Sequence, residues 1–238
     1  MSEDAWPKVG ASAGIVAAVL LILSFVFGPS GAPPGFDDSA REVQEFILDN
    51  HGKLQAQVTF GFATIVAFAW FLGAVFYRLR PAEPAARLSV AALAGGIVLG
   101  VGAVIGSAAQ AATVYHADSL DADTVRALWD LTTFCFLFFM AGLAVLSGAA
   151  GVLAVRYGAL PSWLGAYSLL VGGYAFVVGL VGSFSETGAF SPSDGFLGLL
   201  AFLFFIVWLL AMGIVLYRNP LPVPDPLEPV EVGPGPSA

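Results

Sequence analysis

Apolar residues fall into six long runs: Val9–Phe27, Val58–Tyr77, Leu88–Val114, Leu131–Val155, Ser162–Ser183 and Gly195–Tyr217. None carries Asp, Glu, Lys or Arg in its interior. About 20 apolar residues in a helix cross a hydrocarbon layer of about 30 Å, so each run predicts one membrane span. Helices are the form expected, because each run must satisfy its own backbone hydrogen bonds in lipid.

The polar stretches between the runs predict less, with one exception. "FGPSGAPPGFDDS" is a turn-rich coil. After it, Ser39 followed by Glu42 matches a capping box, and Val43, Phe46 and Ile47 form a short apolar stripe. This predicts an amphipathic helix over Ser39–Asn50, lying on the outer leaflet or over the mouth of the bundle. Its acidic polar face argues against binding anionic lipid. At the other end of the chain, "NPLPVPDPLEPVEVGPGPSA" predicts an extended, disordered tail. The chain therefore reads as an all-α, six-helix transmembrane bundle over residues 1–218, with a Pro-rich tail over 219–238.

Composition agrees with this reading. The chain is 58% hydrophobic and 11% charged, with a mean hydropathy of +0.86. A soluble domain is about 25% charged, so a water-soluble fold could not cover this much apolar surface. The first run also resembles a secretory signal. The acidic leader "MSEDAWPK" and the Pro33–Pro34 pair after "SGA" favour an uncleaved span. Arg outnumbers Lys and Ala and Gly are abundant, which points to a GC-rich bacterial genome.

Charge sets the expected threading. With both termini in the cytoplasm, Lys8, Arg78, Arg80, Arg87, Arg156 and Arg218 lie inside, and only Arg41, Lys53 and Arg126 lie outside. That bias follows the positive-inside rule for a cell membrane. The inner acids (Glu3, Asp4, Glu83, Asp225, Glu228 and Glu231) balance the inner basics, so the net charge of −8 falls entirely on the outer face. No basic stripe exists to bind nucleic acid.

Small residues at helical spacing mark close packing. Gly96/Gly100 and Gly102/Gly106 in the third run, Ser147/Gly151 in the fourth, and Ser168/Gly172 and Gly179/Ser183 in the fifth predict that spans three to five form the tight centre. The bulky, Phe-rich sixth run is expected to face lipid. "GAVFYRLRP" (73–81) echoes "GIVLYRNP" (213–220). The echo reads as a shared exit signature of interfacial Tyr, Arg and helix-stopping Pro, not as a transporter repeat.

Candidate chemistry is sparse. Cys135 is the only cysteine, which excludes an intrachain disulfide or a Cys-based metal cluster. "VYHADSLDADTVRALWD" (114–130) fails as a calcium loop, because Val125 and Arg126 stand where a ligand and Gly are needed. Asp121 and Asp123 instead read as the start of a helix. His51 and His116 are both expected at outer helix ends, where a mixed His/carboxylate metal site is the sharper reading and wetted histidines the plainer one. No metal or cofactor is assigned.

Polar residues also recur on single faces of the outer half-spans: His51, Gln55 and Thr59; Ser107, Gln110 and Thr113; and Asp130 with Thr133. With His116 they predict an outward-facing pocket. The competing account is hydrogen bonding between helices. No mid-membrane ionisable residue, HExxH, GxSxG or Walker stretch appears, which removes proton relays and the familiar hydrolases.

"LPSWLGAYSLLVGGYAFVVGLVG", followed by a span ending "VWLLAMGIVLYRNP", resembles uncharacterised bacterial polytopic membrane proteins in which "LPxWLG" opens the penultimate helix. The resemblance covers the C-terminal 80 residues or so and implies only a membrane protein, with no site residues. Three functions stand open. The first is an accessory or binding component of the envelope, contacting lipid and a membrane partner or a second copy of itself. The second is a transporter or channel-like protein for a small neutral or weakly cationic solute. The third and least supported is an intramembrane enzyme.

Overall fold

The computed structural model describes residues 6–30, 33–193 and 195–219. Asp194 and tail residues 220–238 lie outside them, as do Glu3 and Asp4. Among the described residues every element is helical: α1 (Trp6–Val26), α2 (Ala40–Asp49), α3 (His51–Leu79), α4 (Arg87–His116), α5 (Ala122–Tyr157), α6 (Ser162–Gly182) and α7 (Phe196–Arg218). All but α2 are long and apolar enough to cross a bilayer, so the chain is a multi-pass membrane protein.

The six spans form a ring in chain order, closed where α7 packs on α1. Local chemistry sets the ends of the helices. Asp121 caps α5, and Gly158 ends it in the left-handed conformation at φ 67°. Glu83 Oε2 accepts from Leu88 N at 2.7 Å and so serves the start of α4.

The tightest seam joins α4 to α5. A Cβ on Gly142 would lie 2.7 Å from both Gly95 O and Leu99 Cα, and one on Gly95 would lie 2.5 Å from Leu146 N. Only hydrogen fits between backbones this close. Gly102 and Gly106 meet α5 around Cys135, and Gly172 of α6 faces Gly148 of α5. The expected tight centre over spans three to five is therefore present. Gly96 and Gly100 do not act as a packing pair, however: Gly96 receives the Leu72 side chain, and Gly100 faces open space.

The expectation that the last span faces lipid is overturned. Half of the most apolar 18-residue stretch of α7 is buried, against 22% of that of α3. Its Phe205, Trp208, Leu209 and Met212 form the middle of the core. Bulky rings here fill the interior of the ring of helices. Phe205 packs edge-on to Phe139 at 5.2 Å, and Trp208 edge-on to Phe71 at 6.1 Å. Trp208 Nε1 donates to Ser168 Oγ at 2.9 Å, and Tyr167 Oη donates to Phe204 O at 2.9 Å, tying α6 to α7.

The acidic face carries a second, smaller core. Val43 and Ile47 of α2 are fully buried with Leu54, Val114, Val125 and Trp129, where α3, α4 and α5 project beyond their apolar runs. The amphipathic helix thus lies over the bundle mouth. The Ser39/Glu42 capping box is present, with Ser39 N donating to Glu42 Oε2 at 2.7 Å.

Candidate functional site

A cavity of about 590 Å³ lies inside the ring, between α3 and α4 and backed by α1, α5 and α7. Its walls are mainly apolar: Phe68 and Leu72 of α3, Phe139 of α5, Phe205 of α7, and the glycine-rich face of α4. None of the described residues lining it is Asp, Glu, Lys, Arg or His. An apolar cavity of this kind stays dry and favours apolar guests. Its size falls within the range of about 300–1,000 Å³ typical of small-molecule pockets.

The end toward the acidic face is polar. Gln110 Nε2 donates to Gln57 Oε1 at 3.2 Å, and Gln57 Nε2 reaches Ser24 O at 3.5 Å. Thr132 Oγ1 donates to Leu128 O at 3.2 Å, within its own helix. Ser107 Oγ has no hydrogen-bond partner among the described residues. Each glutamine amide offers two donors and a two-lone-pair acceptor, so this end keeps spare capacity for a guest.

Of the residues singled out from the sequence, Ser107 and Gln110 line this cavity. His51, Gln55, Thr59, Thr113, His116, Asp130 and Thr133 do not. His51, Thr59 and His116 are exposed, and Gln55 Nε2 donates to Tyr115 Oη at 3.4 Å. Thr113 is fully buried and donates to Ala109 O at 2.7 Å, while Thr133 Oγ1 donates to Trp129 O. Among the described residues no three His, Cys, Asp or Glu side chains gather as a metal-holding group.

Gln57 is the residue that stripe counting missed. It lies two positions beyond Gln55, on another face of α3, and only the position of α4 shows that its face points inward. The phase of a helix is set by its neighbours, and one helix's spacing does not carry it.

Above the cavity the first loop is fastened down. Arg126 Nε bonds both Asp130 carboxylate oxygens at 2.9 and 3.0 Å, while its two terminal nitrogens donate to Phe36 O and Asp38 O. Gln44 Nε2 donates to Ala117 O at 2.6 Å, joining α2 to the α4–α5 turn. The Asp121 carboxyl accepts from Thr124 N and Oγ1, which hold it below the ordinary aspartate range. Stretch 114–130 is thus a capped helix start and an anchor for the loop.

Comparison with protein-family models, with curated proteins and with solved structures finds no match to this chain.

Proposed function

We propose that this chain is a binding protein of a bacterial cell membrane, an accessory component of the envelope that holds a small uncharged molecule in its intramembrane cavity. The observation that carries this reading is the cavity itself: about 590 Å³, walled by aromatic and aliphatic side chains and closed by a pair of glutamines. Moving a charge into such surroundings costs far more than moving a neutral group, so the guest is uncharged. The basic residues gather on the face opposite α2, which supports cytoplasmic termini and an acidic outer face. The fastened cap supports binding over throughput, since it covers the outer end with a small packed core of its own.

Native mass spectrometry of the full chain, gently solubilised from its membrane, tests this. A retained small molecule at one per chain is the expected result. An empty chain with a second polypeptide at fixed stoichiometry would replace the reading with a purely protein-binding role. Empty chains that accumulate a neutral or weakly cationic solute in proteoliposomes would replace it with transport.

A further inference from the structure

We infer that the guest is a neutral amphiphile, and that it enters from the bilayer through a window between α3 and α4. The inference rests on the binding reading above and adds the route and the chemical class.

The window follows from the register of two antiparallel helices. α3 and α4 meet at two levels. Toward the acidic face, a Cβ on Gly61 would lie 3.5 Å from Ser107 Oγ; deeper, a Cβ on Gly96 would lie 2.8 Å from Leu72 Cδ2. Gly61 to Leu72 and Gly96 to Ser107 are equal stretches of chain, about 16 Å each at 1.5 Å per residue. Between these levels the helices part. Phe68 and Gly100 sit at one level within the gap, nearer its deep end, and a Cβ on Gly100 would meet nothing within 4 Å. Val101 and Val104 line the cavity and are 51% and 49% exposed, so the α4 wall is continuous with the accessible surface of the bundle. The cavity therefore opens sideways, into lipid.

Its polarity runs in the same order as a membrane leaflet. Gln57 immediately precedes the apolar run that starts at Val58, so the Gln57–Gln110 pair and Ser107 sit near the level of the interface. Phe68, Phe139 and Leu72 lie deeper. A molecule with a hydroxyl or carbonyl at one end and an apolar body can slide in sideways without turning over or carrying its polar end through hydrocarbon. At about 30 Å³ per water-sized group, the space takes on the order of twenty non-hydrogen atoms. A phosphate or ammonium headgroup finds no counter-charge in this lining and would be buried unpaired.

The test uses the full chain in nanodiscs and all-trans-retinol, a neutral amphiphile of about this size, read by energy transfer from tryptophan. Retinoate, with the same skeleton and a carboxylate, is the matched charged probe. Retinol should bind saturably and at least about ten-fold more tightly than retinoate. Gly100→Leu should weaken retinol binding at least about ten-fold with the melting temperature retained. Gly73→Leu, equally open but away from the cavity, should leave binding unchanged. Should Gly100→Leu not fold, Ala103→Leu one turn away serves in its place. Equal affinity for retinol and retinoate, or equal effects of Gly100→Leu and Gly73→Leu, would overturn the inference. A co-purified molecule that retinol does not displace and Gly100→Leu does not release would overturn it while leaving the binding reading intact. An empty chain with no saturable retinol signal would overturn both.

Discussion

The two sides of α4 are both rich in glycine and do opposite things. Toward α5, Gly95, Gly102 and Gly106 let two backbones touch, and the helices lock. Toward α3, Gly96 receives a single leucine and Gly100 faces nothing, so the helices stand apart around a cavity. A small residue is permission for a neighbour to approach. Whether the neighbour comes depends on what it presents: Gly142 on α5 answers Gly95, whereas the Phe68 ring of α3 packs on Phe205 of α7 and nothing answers Gly100. The closed seam holds the closest backbone contacts, and the open one holds the cavity.

The sharpest way to break this contrast is to place the same side chain in both seams. Gly142→Leu forces apart backbones already in contact and should cost about 3 kcal/mol or more. The expected readout is loss of monodisperse protein or a large drop in melting temperature. Gly100→Leu, in open space, should change stability by under about 1 kcal/mol. Equal costs would mean that the two seams do not differ.

The next largest effect concerns the cap. Arg126→Ala removes the ion pair to Asp130 and two bonds to loop carbonyls, a loss of about 2 kcal/mol. Hydrogen exchange should speed up in residues 33–50 and stay slow along the α4–α5 seam. Acceleration of the seam as well would show that cap and seam unfold as one unit.

Trp208→Phe keeps one aromatic ring but removes the bond to Ser168 and part of the buried indole, for about 1 kcal/mol or more by thermal melting. No change would mean that α7 is held by ring packing alone.

The smallest effect is at the start of α5. Because the Asp121 pKa is lowered in the folded state, its stabilisation is complete above the ordinary aspartate range and is lost as pH falls through the folded value. Glu42, held low by Ser39, behaves in the same way. Asp121→Ala should therefore flatten the acid limb of a plot of melting temperature against pH and leave the limb above pH 7 parallel to the parent. An unchanged acid limb would remove Asp121 from the cap.

Much of the architecture was legible because lipid makes simple demands. Six uncharged runs, the capping box at Ser39 and the helix start at Asp121 follow from local chemistry, and all are present. The site was harder to read. Ser107 and Gln110 stand out as polar residues in an apolar run, but Gln57 and the aromatic wall are visible only once the helices are phased against one another. The sixth span misled for a similar reason. Phe and Trp suit lipid and a membrane protein's interior equally, so hydropathy could not place Trp208. The deep Leu72–Gly96 contact had no signal either, since it depends on register across 24 residues of sequence.

The order of synthesis adds a consequence. α7 supplies the rear wall through Phe202, Phe205 and Leu209 and also seals the ring against α1, where a Cβ on Gly213 would lie 3.1 Å from Ala11 O. It follows the other five spans in chain order, so the compartment does not exist until all six have been made. Until then its future lining is bathed in acyl chains, and a nascent polypeptide released before Phe196 would be five membrane-embedded helices around an open side, without the compartment.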